Sequence, residues 1–118
     1  MELDPAAARS AENTVRLNNL SSMKVVHGDC AEALPRLVTE RSVVILDPPR
    51  AGSDERFLSA VTTVAPERVV YVSCNPETLA RDLGYLTRHG YRVERIQPVD
   101  MFPHTEHIEC VVRLTRSK

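Results

Sequence analysis

A cysteine stands between a strand-like run and a helix start in the segment VYVSCNPETL. Cys74 follows β-branched and aromatic residues that end at Ser73, and Asn75 and Pro76 suit the N-cap and first turn of a helix. The positive end of a helix dipole favours a thiolate over a thiol, so Cys74 is a candidate nucleophile. The alternative is a small buried hydrophobe, which position alone does not exclude.

A carboxylate follows an apolar run in VVILDPPRAG. The two prolines after Asp47 cannot donate backbone hydrogen bonds and hold the chain extended, so we expect this carboxylate beside a cleft. The alternative is a turn-capping role, because Asp before Pro is common in turns. Arg50 is predicted either to bind phosphate or to be solvated.

A third candidate lies in DMFPHTEHIECVV, where strand alternation predicts that Glu109 shares a face with Val111. A partly buried Glu109 would be a plausible general base, and the alternative is a solvated carboxylate on an edge strand. His104 and His107 are three residues apart but have no third ligand at suitable spacing, so we predict no metal site.

Two further acids, Glu2 and Asp29, stand at the ends of apolar segments. In nucleotide-type sites an acid after the second strand binds ribose hydroxyls, about 20 residues beyond a glycine-rich loop. Here that loop would fall before Met1, and none of the 4 glycines forms a GxGxxG pattern.

The elements that must position these residues alternate in type. Hydrophobic periodicity predicts helices over Pro5–Asn19, Cys30–Val38, Asp54–Val64 and Pro76–His89. It predicts strands over Met23–His27, Ser42–Leu46, Arg68–Ser73, Tyr91–Val99 and Ile108–Thr115. Such alternation favours an α/β fold with a mainly parallel sheet and a final antiparallel strand pair, in one domain spanning residues 1–118. Ligands bind outside the carboxyl ends of strands in such sheets. Asp29, Asp47, Cys74 and, on the returning strand, Glu109 are predicted to lie there.

Composition limits the function classes. The chain has 118 residues, 42% of them hydrophobic and 26% charged, which fits a soluble globular domain. There is no segment of roughly 18 uncharged apolar residues and no signal sequence, so we expect a cytoplasmic protein without a membrane partner. The 3 cysteines form no CxxC pair, which favours reduced thiols. A net charge of -1 argues against a freestanding nucleic-acid binder that relies on a basic face.

Taken together, the segments LDPPRAG, VVYVSCNPETLARDLGYL and VDMFPHTEHIECV resemble the RNA 5-methyluridine (uracil-5-) methyltransferase family, which uses S-adenosylmethionine. The resemblance covers essentially the whole chain from Glu2, with the motifs in the family's order. It implies that Cys74 adds to carbon 6 of uracil and that Glu109 later removes the proton from carbon 5. It also implies that Asp47 lies between cofactor and base, and that Glu2 and Asp29 contact the ribose and adenine.

The same resemblance implies a Rossmann-like S-adenosylmethionine-dependent methyltransferase fold, of which this chain is the carboxyl-terminal part, lacking the first strand and the glycine-rich loop. The substrate would be ribosomal or transfer RNA, held mainly by upstream regions. We therefore expect the isolated chain to be inactive and to self-associate through uncovered edges. The alternatives are a non-catalytic RNA- or protein-binding module and a different thiol enzyme that pairs Cys74 with His104 or His107.

Overall fold

Side-chain caps determine where the helices begin. In the computed structural model, which describes residues 1–117, the helices are α1 (Pro5–Leu17), α2 (Cys30–Leu37), α3 (Glu55–Val64) and α4 (Pro76–Arg88). Each follows an Asp or Asn whose side chain accepts a backbone N–H of the first turn, namely Asp4, Asp29, Asp54 and Asn75. The predicted helices are confirmed, with ends that differ by one or two residues.

The strands are β1 (Val43–Leu46), β2 (Arg68–Ser73), β3 (Tyr91–Val99) and β4 (Glu109–Arg116), and their order in the sheet is β1-β2-β4-β3. β1 and β2 are parallel, whereas β4 is antiparallel to both β2 and β3. β1, β2 and β3 therefore run in one direction and β4 runs against them. This arrangement confirms the predicted α/β class, the mainly parallel strand direction and the final antiparallel pair.

The predicted strand Met23–His27 is wrong as a member of the sheet. Of this segment, only His27 pairs, in an isolated parallel bridge with Glu2. The bridge is made by Glu2 N–H donating to the Val26 carbonyl and Gly28 N–H donating to the Glu2 carbonyl, both at 2.9 Å. A strand needs a neighbouring strand along its length, and the short amino-terminal segment supplies only this bridge.

The core lies between one face of the sheet and helices α2 to α4. Its fully buried members include Leu34 of α2, Val61 of α3, Leu86 of α4 and Leu114 of β4. On the opposite face of β1, Val43 and Ile45 are 51% and 72% exposed. The described residues therefore cover β1 on one side only.

Among residues 1–117, no helix has the length and apolar character needed to cross a membrane.

Candidate active site

Asp47, Cys74 and Glu109 lie at one edge of the sheet. Asp47 directly follows β1, Cys74 directly follows β2, and Glu109 is the first residue of β4. β2 lies between β1 and β4 and has the opposite direction to β4, so the end of β2 and the start of β4 meet at the same edge. The structure thus brings together three of the five acids and thiols that the sequence identified.

The last residue pair of the β2–β4 ladder lies next to both Cys74 and Glu109. Ser73 pairs with Cys110, and the next positions outward in the same antiparallel register are Cys74 and Glu109. Both of these residues are half-buried, so each is reachable from the edge of the sheet. Cys110 instead packs against the hydrophobic core, and burial raises the pKa of its thiol.

A tight turn holds Cys74. The Ser73 hydroxyl accepts the Asn75 backbone N–H and donates to the Asn75 carbonyl, each at 3.0 Å. The Asn75 side-chain oxygen in turn accepts the Glu77 N–H at 3.1 Å, which begins α4. The predicted N-cap is confirmed, and Cys74 lies between the last residue of β2 and that cap.

The loop that carries Asp47, residues 47–53, is fastened to α4 through its backbone. The Arg50 carbonyl accepts hydrogen bonds from Asn75 Nδ2 at 3.0 Å and from Thr78 Oγ1 at 2.9 Å. Asp47 itself is exposed at the start of the loop. The residues that follow Cys74 therefore determine the path of the loop that carries Asp47.

A second loop, residues 100–108 between β3 and β4, approaches the first. Arg50 Nη1 lies 3.4 Å from His107 Nδ1, and the His107 ring meets Phe102 edge to face at a centroid distance of 6.4 Å. Sequence reasoning paired the histidines with Cys74 as one hypothesis. In the structure, His107 contacts Arg50. The hydrogen bonds described for residues 1–117 include none between Cys74 and either histidine.

Glu2 and Asp29 form a separate pair of acids. The backbone bridge of Glu2 with His27 brings Glu2 beside the segment that ends at Asp29. Glu2 Oε1 accepts the Asp4 N–H at 2.9 Å, and Asp29 Oδ1 accepts the Ala31 N–H at 2.8 Å, capping α2. The described hydrogen bonds and ion pairs include no contact between these two acids and Asp47.

Asp82 is a buried acid that sequence reasoning missed. It is fully buried on α4, where it accepts hydrogen bonds from Ser53 N–H at 2.8 Å and from the Tyr71 hydroxyl at 2.5 Å. The available signal was its spacing, because Asp82 shares the apolar face of α4 with Leu79 and Leu86. An acid on such a face must be satisfied by buried partners.

Two clefts on the surface of the described residues lie away from this sheet edge. One of about 560 Å³ opens between α3 and α4, with Asp54, Tyr85 and Arg88 in its lining, and another opens between α2 and α3. Neither is lined by any of the five predicted site residues. In the part of the chain that the structure describes, no group of three or more His, Cys, Asp or Glu is arranged to hold a metal ion.

The sequence matches known proteins along most of its length. Residues 37–117 match the model of the family described as tRNA (uracil-5-)-methyltransferase. An uncharacterized RNA methyltransferase of Bacillus cereus is 44% identical over 119 residues, which represent 98% of this chain and 26% of that protein. The chain thus spans about a quarter of the length of this curated relative.

The fold also matches solved structures. Pyrococcus abyssi tRNA (uracil-54, C5)-methyltransferase, solved in complex with S-adenosyl-L-homocysteine, superposes with a TM-score of 0.73 at 37% identity over 95% of this chain and 27% of that one. Precorrin-6y C5,15-methyltransferase from Geobacter metallireducens superposes with a TM-score of 0.72 at 15% identity, over 98% of this chain and 64% of that one, which is a likeness of fold alone. The predicted Rossmann-like methyltransferase fold is confirmed.

Proposed function

Since the family model matches residues 37–117, this chain belongs to the tRNA (uracil-5-)-methyltransferase family, and we propose that it carries the catalytic residues for methylation of carbon 5 of uridine in RNA. The observation that carries the proposal is the meeting of Asp47, Cys74 and Glu109 at one sheet edge, where Cys74 and Glu109 each adjoin the last pair of the β2–β4 ladder. Because the chain spans about a quarter of its relative's length, the activity is proposed for a protein that also contains the relative's other segments.

Cys74 has the role of nucleophile in this proposal. Carbon 5 of uracil is a poor nucleophile, but addition of a thiolate to carbon 6 forms a carbon–sulfur bond and moves an electron pair onto the enolate that includes carbon 5. The position of Cys74 supports this role, because the thiol is half-buried at the sheet edge, directly before the N-cap of α4.

Glu109 has the role of base. After carbon 5 has gained a methyl group, its remaining proton must leave before the carbon–sulfur bond can break. The Glu109 carboxylate takes that proton, the electron pair restores the carbon 5–carbon 6 double bond, and Cys74 departs as a thiolate. Glu109 is half-buried at the same sheet edge as Cys74, which suits a group that acts on the carbon next to the one that Cys74 attacks.

S-adenosylmethionine, when bound, supplies an electrophilic methyl group on a sulfonium. The acids of this chain fit the adenosine part, because carboxylates accept hydrogen bonds from ribose hydroxyls and from an amino group. Glu2 and Asp29 each use one oxygen for backbone amides, Oε1 and Oδ1 respectively, which keeps the side chains in fixed positions. Asp47, on the same sheet edge as Cys74, would lie between the cofactor and the target base.

The substrate in this proposal is transfer or ribosomal RNA. The Pyrococcus abyssi relative, a tRNA (uracil-54, C5)-methyltransferase, makes transfer RNA the first to test. With a net charge of -1, this chain would supply chemistry rather than the main electrostatic attraction for RNA. The 3 cysteines are free, which suits the cytoplasmic location that we include in the proposal.

The test is a chimera in which this chain replaces the matching segment of the Pyrococcus abyssi enzyme. It is incubated with S-adenosylmethionine and a transfer RNA that carries 5-fluorouridine at the target position. Fluorine cannot leave as a proton does, so an active enzyme is trapped as a protein–RNA adduct that survives denaturing electrophoresis. RNA binding without an adduct, in a chimera that is folded and binds S-adenosylhomocysteine, would favour the non-catalytic binding module instead.

A further inference from the structure

Asp82 is a buried ionisable group that the proposed chemistry does not use. Its side chain is 0% exposed, and an ionised carboxylate in that position requires charged or hydrogen-bonding partners. Arg81 supplies the charge, with Nε 3.0 Å and Nη2 2.9 Å from Asp82 Oδ1. Ser53 N–H and the Tyr71 hydroxyl donate to Oδ2. Both oxygens of the carboxylate are thus engaged.

These partners join three parts of the fold. Ser53 ends the loop of residues 47–53, Tyr71 lies in β2 three residues before Cys74, and Arg81 precedes Asp82 in α4. Arg81 Nη2 also donates to the carbonyls of Ala51 at 2.9 Å and Ser53 at 3.2 Å. Within the loop backbone, Asp82 thus accepts the Ser53 N–H, and Arg81 donates to the Ala51 and Ser53 carbonyls.

The loop approaches α4 so closely at Gly52 that a side chain would not fit. A Cβ added there would lie 2.5 Å from Arg81 Nη2 and 2.8 Å from Asp82 Oδ2, and the Gly52 φ of +81° is one that other residues rarely adopt. The glycine lets the loop backbone lie directly on the buried pair.

Tyr71 keeps its proton in this network. Burial first, and then the hydrogen bond to Asp82 and its negative charge, raise the pKa of Tyr71 well above its ordinary value. The hydroxyl therefore stays a donor above the pH at which a tyrosine in water ionises, and it links Asp82 to the strand that precedes Cys74.

We infer that Asp82 is a positioning residue. Through Ser53, Tyr71 and Arg81, it holds the loop that carries Asp47 at a fixed place relative to Cys74. For its effect on catalysis, this inference rests on the proposed function. A hydrophobic side chain of similar volume would fill the site without binding the loop backbone. An acceptor such as the Asp82 carboxylate is needed to bind the Ser53 N–H, the Tyr71 hydroxyl and the Arg81 guanidinium together.

The structural part of the inference is tested on the chain itself by amide hydrogen exchange. In Asp82→Asn, exchange at Gly52 and Ser53 should accelerate by roughly tenfold or more, as expected when a charge-assisted hydrogen bond is lost. Leu86→Ala is the matched control, because Leu86 is buried in the same helix and its side chain has no polar group that could bind the loop backbone. Equal exchange at the two loop amides in both variants would overturn the inference.

The catalytic part is tested in the chimera with the Pyrococcus abyssi enzyme, at a temperature well below the lowest unfolding midpoint. Asp82→Asn should lower kcat about 100-fold, the scale expected for a misplaced catalytic group, while KM for transfer RNA and affinity for S-adenosylhomocysteine change little. Leu86→Ala should retain kcat. Tyr71→Phe, which removes a single donor and keeps the ring, should lower kcat by roughly tenfold and serves where Asp82→Asn does not fold.

The outcomes separate the two proposals. If the unsubstituted chimera methylates uridine and both Asp82→Asn and Tyr71→Phe do so at rates near that of Leu86→Ala, Asp82 is not a positioning residue, and the proposed function stands. If the unsubstituted chimera binds S-adenosylhomocysteine and RNA but forms no 5-methyluridine, the proposed function fails and the catalytic role of Asp82 fails with it.

Discussion

The three cysteines of this chain occupy different environments. Cys110 packs against the core, where burial raises the pKa of its thiol. Cys30 is the first residue of α2, and its Sγ lies 3.9 Å from the Met1 carbonyl. Cys74 alone of these lies at the edge of the sheet, between the end of β2 and the cap of α4. Of these three thiols, Cys74 is therefore the one at the same sheet edge as Asp47 and Glu109.

The first prediction is that Cys74→Ser abolishes methylation in the chimera, because a serine hydroxyl is a far weaker nucleophile than a thiolate at neutral pH. Affinity for S-adenosylhomocysteine should stay unchanged, since the thiol acts on the base. Cys30→Ser is the matched control and should retain activity. Methyl transfer from labelled cofactor into transfer RNA is the measurement, and turnover by Cys74→Ser would remove Cys74 from the mechanism.

The second prediction separates methyl transfer from product release. Glu109→Gln should still permit addition and methylation but should slow proton removal by roughly 100-fold or more, so that a covalent protein–RNA adduct accumulates. Denaturing electrophoresis of the chimera with unmodified transfer RNA detects that adduct. Glu106→Gln, an exposed neighbour in the same region, is the control and should turn over normally. Rapid release by Glu109→Gln would identify another base.

The third prediction compares Asp47 with Arg50. The loop is bound to α4 through the Arg50 carbonyl, which Arg50→Ala retains, so this variant should lose less than about tenfold in activity. Asp47→Ala removes a carboxylate from the proposed cleft and should lose about 100-fold. Steady-state kinetics of the two chimeras compare their losses of activity. Equal small losses would indicate that Asp47 is a turn-capping residue.

At the scale of elements, local signals predicted most of the fold. The predicted helix starts agree with the structure to within one residue, because each start depends on a cap that lies within one turn of the helix. Of these caps, Asn75 is predicted from the sequence. The segment Met23–His27 has strand-forming residues but pairs only through one bridge, because a strand depends on a partner distant in sequence. Separation along the sequence also explains why the Asp82–Ser53 contact could not be predicted, since its two partners are 29 residues apart.

The fourth prediction concerns β2 and its alkaline stability. Above about pH 10 an unfolded tyrosine loses its proton. Tyr71 in the folded state keeps it, because burial and Asp82 raise its pKa. The folded state then binds more protons than the unfolded state, so the free energy of unfolding falls as pH rises. Urea unfolding from pH 9 to 11 should show the unsubstituted chain losing about 1 kcal/mol more than Tyr71→Phe.

Val69→Ala is the control for that experiment, since Val69 is buried in the same strand and does not titrate. This variant should be less stable than the unsubstituted chain by a similar amount at every pH. If Tyr71→Phe follows the same pH dependence as Val69→Ala and the unsubstituted chain, the Tyr71–Asp82 hydrogen bond does not control alkaline unfolding.

At the scale of the whole molecule, the described chain is less compact than a typical single domain of its length. Its radius of gyration is 15.1 Å. About 13.5 Å is expected for a compact domain of this length. Val43 and Ile45 expose apolar surface beside the unpaired edge of β1. Exposed apolar surface next to a free strand edge is a site of association.

The last prediction is that the chain by itself has no measurable methyltransferase activity and self-associates. Glu2, Asp29 and Asp47 are the proposed cofactor contacts, but none of them lines either of the two clefts described above, so three carboxylates alone would not enclose the cofactor. Burial of most of a ligand's surface is what gives affinity in such sites. Calorimetry with S-adenosylmethionine should therefore detect no micromolar binding by the chain, whereas the chimera with the Pyrococcus abyssi enzyme should bind. Light scattering should show a mass above that of the 13.2 kDa monomer. Tight cofactor binding by a monomer would mean that residues 1–118 form a complete site, and the open face of β1 would then need no further cover.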